Sequence, residues 1–552
     1  MSLDLDTLSF LLLGSISTVA LLSIRNAKGP DVHPLLLNAQ ADPSRLRHVG
    51  ETAIYRSRMH PNGSPLMLTM DRNIRTLHDL FELGGAKSNL NAKFLGNFNG
   101  SAVVWQTYDE VKRRVDNFRC GLATFASLTP KTNDASSFVG VFAKSSSETF
   151  IAEQAANSHS YVTIPIAASA RTTFISHILS TTSLTTVVVD KETLPILLSV
   201  AEGTSVKYVI VDGTPSHAEL ASANEKNIKL EEFKNVEAIG AAHPTSPVVP
   251  EPEDICSIYF TKASGKKAGV VLKHKNILAN IASYIAIMPP NQKVTAADRL
   301  IYSYPLGNVL SRVLTGMLSY VGGSIAYGCE IAEDEEVVDI TRLQTCAQQA
   351  MPTIIASGSL AFTQIKDRIE SHYGNSFLYK RGYEAKKRTL LNEGRLVVDN
   401  RYDMLVFRDI RQKTFGGSLR LVLFDNNGDL GDLPTFVRVV LGAQAVPTYS
   451  RTEASGTITA SMFFDYAANP ASRGSPTPCN EVKLIDLPEG YLATDTPNPR
   501  GEICVRGNNV FSGYWGDSNT TSEVLDGDKW FMTGDIGEWL PNGTLKIVGS
   551  KK

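Results

Sequence analysis

Cysteine is scarce. The six in 552 residues (Cys120, Cys256, Cys329, Cys346, Cys479, Cys504) stand scattered, with no C-x-x-C and no histidine paired with them at metal spacing. That argues against a disulfide framework and a zinc site, and it suits a reducing compartment. An excess of one charge is also lacking. The 54 Lys+Arg against 56 Asp+Glu leave −2, so no global field recruits nucleic acid, and no nucleic-acid partner is expected. There is no internal repeat and no G-x-x-x-x-G-K-[ST] loop, which removes solenoid arrays and the Walker A class of nucleotide site. The N-terminus departs from globular character in an apolar run without charge, Leu8–Ile24, "LSFLLLGSISTVALLSI". As a helix rising ~1.5 Å per residue it would reach about 25 Å, the short limit for a bilayer span. Asp4 and Asp6 precede it, and Arg25 and Lys28 follow. That is the reverse of a secretory signal, and it keeps the bulk of the chain cytosolic by the positive-inside rule. Residues 1–30 therefore read as a membrane anchor. A buried or interfacial helix is the alternative, because Ser9, Ser15, Ser17 and Thr18 dilute the run.

The rest reads as ordinary globular protein, 43% hydrophobic and 20% charged, long enough for about three or four domain-sized units. Residues 31–85 are polar and irregular, an extended approach segment. From about Thr76 onward strands and helices alternate. "TYDEVKRRVDNFRCGLATF" and "SETFIAEQAANSHS" carry helical spacing, while "FVGVFA", "YVTIPI", "TTVVVD" and "VKYVIVD" are near-continuous apolar strands. Such alternation predicts parallel sheets covered by helices, an α/β fold. A proline-rich connector, His243–Asp254, leads into a second alternating region that runs to about Phe464. Beyond Pro470 the segments shorten and turns multiply, which predicts antiparallel strands.

The connector delivers the chain into "SIYFTKASGKKAGVVLKH", Ser257–His274, where two apolar runs flank a loop rich in glycine and lysine. A triphosphate-gripping loop needs inward N–H groups, small residues, hydroxyls and a cation. Thr261, Ser264, Gly265, Lys266 and Gly269 supply that set. Taken alone, a Gly/Lys loop between strands is more often a solvated hairpin.

Further stretches change its weight. "YPLGNVLSRV" (Tyr304–Val313), "GGSLRLVLFDNNG", "YSRTEASG" (Tyr449–Gly456), "GYLATDTPNPRGEICVRGNNVFSGYW" and "WFMTGDIGEWLPNGTLKIV" follow it in order. This series resembles the adenylate-forming superfamily, specifically its long-chain acyl-CoA synthetases. The resemblance covers about Pro30–Lys552. It implies an N-terminal adenylation domain over residues 86–546, built of two parallel-sheet βα subdomains plus a small distorted β-barrel. It also implies ATP, Mg²⁺ and CoA as cofactors, a long-chain fatty acid as partner, and attachment to the endoplasmic reticulum. Thr261, Ser264, Gly265, Lys266, Gly269, Tyr449, Thr452 and Asp535 would bind nucleotide, with Tyr449 stacked on adenine and Asp535 accepting from the ribose hydroxyls. Glu453 would hold the metal. No residue is singled out as a catalytic group, and no protein partner is legible.

The sequence also departs from the family. Against T-S-G-T-T-G-x-P-K-G, Phe260 and Thr261 stand for threonine and serine, Lys262 for a glycine, Lys267 for proline and Ala268 for the lysine. Ser450 replaces the glycine of Y-G-x-T-E, Asn308 a histidine near the acyl channel, and Phe424–Asn427 a turn of small residues. The text ends at "IVGSKK", where the family continues through an Asp-Arg-Lys-Lys-type hinge into a lid domain. Residues 547–552 are thus expected to be a hinge stub and the C-terminal domain to be missing. Three readings stay open: a fatty acid–CoA ligase, a pseudoenzyme that binds acyl or nucleotide ligands or acts as a scaffold, and a truncated gene model or decaying paralogue.

Overall fold

The structure, a computed structural model, describes residues 9–10, 12–18, 29–45, 47–261, 268–330, 338–425 and 429–551. Three sheets organise it. A seven-stranded sheet takes the runs Phe138–Ala143, Val162–Ala167, Thr186–Asp190, Tyr208–Asp212 and Lys229–Glu232 as parallel strands. All six residues of Phe138–Ala143 are buried, as an uninterrupted apolar strand must be when helices cover both faces. The hairpin Ile255–Thr261/Ala268–Lys273 completes the edge of this sheet. Ser257 registers on Thr163, and their hydroxyls meet at 2.6 Å. The chain after the connector therefore returns to the first sheet before the second alternating region begins.

The second sheet has nine strands. Its parallel centre is Gln444–Arg451, Leu421–Asp425, Ile354–Ser357, Arg299–Ile301, Ser324–Tyr327 and Lys93–Phe98, with antiparallel strands at both edges. The two parallel sheets expected from alternation are present. Helices pack on them closely. The predicted helix Tyr108–Phe125 opens on a Thr107/Glu110 capping box, whose reciprocal bonds satisfy first-turn N–H groups. It crosses Phe233–Ala242 with Phe118 stacked on Phe233 at 4.0 Å. At that crossing a Cβ on Gly240 would stand 1.8 Å from the Asn117 carbonyl oxygen, so glycine is required for the backbones to meet.

The third sheet, where a small distorted barrel was expected, is six-stranded and antiparallel. Two of its strands, Ala41–Pro43 and Tyr55–Ser57, come from the segment 31–85, which is thus built into the fold rather than laid along it. Tyr55 stacks on Trp539 at 3.9 Å to fix this join. Of the apolar run Leu8–Ile24, residues 9–10 and 12–18 are described, as helix. Among the described residues no helix is long and apolar enough to cross a membrane, and the remainder of the expected anchor lies outside them.

Candidate functional site

A cavity of about 340 Å³ opens at the carboxyl ends of strands from both parallel sheets, where α/β folds characteristically place ligands. Thr261 ends the first strand of the hairpin, Asp425 ends Leu421–Asp425, and Ser450, Arg451 and Thr452 follow Tyr449; all five line the cavity, as does Asn308. Asn308 caps the helix Val309–Val321, its side chain accepting from the Leu310 N–H at 2.9 Å. Of the expected phosphate loop, Thr261 and Gly269 fall among the described residues, while Ser264, Gly265 and Lys266 lie outside them. Gly269 does not line the cavity. Its carbonyl accepts from the Trp515 N–H at 2.7 Å. A Cβ there would meet Ile258 and Phe260 at 3.0 Å and Trp515 at 3.2 Å, so this glycine allows the hairpin to pack on the segment around Trp515.

The sequence Tyr449–Gly456 is shaped by a bulge between Tyr449 and Ser450, the kind of irregularity that re-aims side chains at a sheet's end. A 3₁₀ turn, Thr452–Ala454, follows, and Ser455 and Gly456 then take positive φ of 53° and 113°. The Asn280 amide pins the turn by donating to the carbonyls of Ala454, Ser455 and Thr457 at 3.1, 3.2 and 3.2 Å. Thr452 faces the cavity. Glu453 is buried, and its Oε1 accepts from the Tyr514 hydroxyl at 3.0 Å. Burial, and after it Glu453, pushes the Tyr514 phenol up, so it stays a donor.

Beside the cavity Tyr449 and Asp535 are both buried. Asp535 Oδ2 accepts from the Tyr449 hydroxyl at 2.6 Å and from Arg451 Nε at 2.8 Å. Its Oδ1 accepts from the Ser550 hydroxyl at 2.9 Å and pairs with Arg451 Nη2. Burial works against the Arg451 cation, yet Tyr449 and Asp535 hold its pKa above the ordinary guanidinium value. Burial and then Asp535 raise the Tyr449 phenol. Tyr449 and Asp535, placed 86 residues apart in sequence, are thus brought into direct contact. Arg451, Ser550, Tyr514 and Asn280 were not marked by the sequence. Arg451 fills the variable place of Y-S-R-T-E, Tyr514 lies within the stretch ending "FSGYW" and Ser550 within "IVGSKK", and none of the four was given a role.

For a metal, the described residues hold no cluster of three or more His, Cys, Asp or Glu side chains. Glu453 does not line the cavity, but with Thr452 facing it next in sequence the pair offers the one carboxylate and hydroxyl that a magnesium ion arriving on nucleotide phosphates commonly takes, its other ligands being phosphate oxygens and water. For a nucleotide, the hydroxyls of Thr261, Ser450 and Thr452 and the guanidinium of Arg451 give the cavity polar donors.

Comparison with known proteins places these features. Residues 91–515 match the AMP-binding enzyme family. The chain is 30% identical over 516 residues to long-chain-fatty-acid–CoA ligase 1 of Cavia porcellus, an overlap of 91% of this chain and 70% of that protein. It is 31% identical over 518 residues to the peroxisomal long chain acyl-CoA synthetase 7 of Arabidopsis thaliana, with the same coverage of 91% and 70%. Among solved structures, a long-chain-fatty-acid–CoA ligase from Archaeoglobus fulgidus superposes with a TM-score of 0.66 at 17% identity, covering 88% of this chain and 86% of that one. The adenylation domain of a carboxylic acid reductase from Segniliparus rugosus, in complex with AMP and a carboxylic acid, superposes with a TM-score of 0.67 at 18% identity, covering 86% and 74%.

Proposed function

The chain belongs to the AMP-binding enzyme family, and on that premise we propose that it activates long-chain fatty acids with ATP. A carboxylate oxygen of the fatty acid attacks the α-phosphorus. The bond to the bridging oxygen breaks, and pyrophosphate leaves with the electron pair, giving an acyl-adenylate. The thiol of coenzyme A then attacks the acyl carbon, loses its proton to solvent and displaces AMP. The observation that carries this reading is the meeting, at one cavity, of Thr261 from the hairpin and Thr452 from the Tyr449–Gly456 turn, with Tyr449 and Asp535 alongside.

In this reading Thr261, Thr452 and the loop residues Ser264, Gly265 and Lys266 bind the phosphates, Tyr449 flanks adenine and Asp535 takes the ribose. Glu453 would hold magnesium, which supplies charge neutralisation for attack of one anion on another. Preorganised donors at such a site lower the barrier without reorganising during reaction. The N-terminal apolar run would tether the chain to a membrane, the endoplasmic reticulum being our assignment, close to its lipid substrate. A binding module without turnover is the second reading, favoured by one observation: Tyr449, Arg451 and Ser550 engage both oxygens of Asp535, the residue read as the ribose acceptor. The test is direct. The full chain is supplied with oleate, ATP, magnesium and coenzyme A, and products are followed by mass spectrometry. Oleoyl-CoA with stoichiometric AMP supports ligation, and bound but unaltered ATP and oleate support the second reading.

A further inference from the structure

Asp535 presents two carboxylate oxygens, with about four lone-pair positions between them. Tyr449, Arg451 through two nitrogens, and Ser550 direct four donors at those oxygens. The aspartate is 2% exposed, so a ribose diol reaching it meets a carboxylate whose positions are filled. Two hydroxyls can bind there only if two donors leave. Tyr449 is fully buried and carried on the strand Gln444–Arg451, and Ser550, exposed at the end of the strand Leu545–Ser550 and away from the cavity, supplies a single donor. Arg451 differs from both. Its side chain is 28% exposed and lines the open cavity, and it alone supplies two of the four donors. It is the donor with somewhere to go.

Its destination is in the same cavity. Thr261 stands there at the end of the hairpin where a phosphate would sit, and Ala268 occupies the position at which the family pattern carries a lysine. A guanidinium pairs with phosphate at least as readily as with carboxylate, in the same bidentate geometry. Phosphate groups entering the cavity therefore compete with Asp535 for Arg451, and a ligand lacking phosphate does not.

We propose that Arg451 is the specificity-determining residue of this site: it keeps the ribose carboxylate closed until the phosphates of an incoming nucleotide draw the guanidinium away. The inference rests on the nucleotide reading above and adds a consequence that reading lacks. The site selects phosphorylated nucleotides over nucleosides by coupling two subsites through one side chain.

Calorimetric titration of the full chain with ATP, adenosine and 2′,3′-dideoxyadenosine tests it, in the native chain and in Arg451→Met. Native protein should bind ATP and take adenosine at least tenfold more weakly. Arg451→Met should gain tenfold or more for adenosine, lose affinity for ATP, and bind the dideoxynucleoside no better than the native chain does, since that ligand has no hydroxyls for Asp535. The adenosine gain should vanish in Arg451→Met/Asp535→Asn. Arg451→Lys, which retains the charge but not the fork, should fall between; it serves if the methionine variant does not fold. Unchanged or weaker adenosine binding in folded variants, with ATP still bound by the native chain, overturns the coupling and leaves the nucleotide reading standing. Absence of ATP binding in the native chain and every variant overturns both.

Discussion

The Tyr514 hydroxyl donates to Glu453 Oε1 across 3.0 Å, tying the segment after Arg500–Gly507 to the turn that carries the proposed metal ligand. Glu453 is 3% exposed, so losing this donor leaves a buried carboxylate oxygen without that bond, at a cost of about 1–3 kcal/mol. Tyr514→Phe should lower the unfolding free energy by that amount in urea titrations. It should also raise the magnesium concentration needed for half-maximal ATP binding, because the carboxylate loses its orientation. A stability loss with no change in magnesium dependence would assign Glu453 to structure alone.

Arg312 and Glu153 pair in the core between helices Val309–Val321 and Ser147–Asn157, both almost fully buried. Removing one partner strands the other charge, which costs about 3–5 kcal/mol. Glu153→Leu should therefore destabilise strongly, and Glu153→Leu/Arg312→Met much less, as read from denaturant midpoints.

The pH dependence follows from buried histidines. His274 is fully buried and its Nδ1 accepts from the Leu77 N–H at 3.2 Å, with burial holding its pKa near about 3. His159 is held near about 4, also chiefly by burial, while its Nδ1 accepts from the Val248 N–H at 2.9 Å. Both folded values lie below the ordinary 6.5, so between those limits the unfolded chain binds more protons than the folded one. Stability is full above about 6.5 and falls as pH drops toward the folded values, by roughly 1.4 kcal/mol per pH unit for His274. His274→Gln should flatten this slope between pH 6 and about 4 in denaturation curves taken across that range.

Gly240→Ala sets two effects against each other. Alanine favours a helix interior by about 1 kcal/mol. The added methyl would lie 1.8 Å from the Asn117 carbonyl oxygen, and forcing a close-packed pair apart costs about 1–3 kcal/mol or more. The steric term wins, and the melting temperature should fall.

How much of this could be read in advance depended on local signal. Phe138–Ala143, Val162–Ala167 and Tyr208–Asp212 were legible because buried parallel strands are continuous apolar runs. Ala41–Pro43 and Tyr55–Ser57 were not. Three residues show no period, and Tyr55 and Arg56 pair with Val482 and Glu481, more than 400 residues away. The hairpin Ile255–Lys273 was read as two strands, and it is two strands. Its membership of the first sheet was hidden because pairing with Val162–Ala167 is a long-range choice. Tyr449, Glu453 and Asp535 stood out through family motifs. Arg451 did not, because its significance lies in the distance to Asp535, which sequence spacing does not encode.

The central claim, that the Thr261–Thr452–Asp535 site activates a fatty acid, is tested most directly by oleate-dependent ATP–pyrophosphate exchange on the full chain with magnesium, beside Glu453→Ala. The expected result is exchange that requires oleate and is lost in the variant. No exchange from folded protein shown to bind both ATP and oleate would contradict it, and would make this chain a ligand-binding member of an enzyme family.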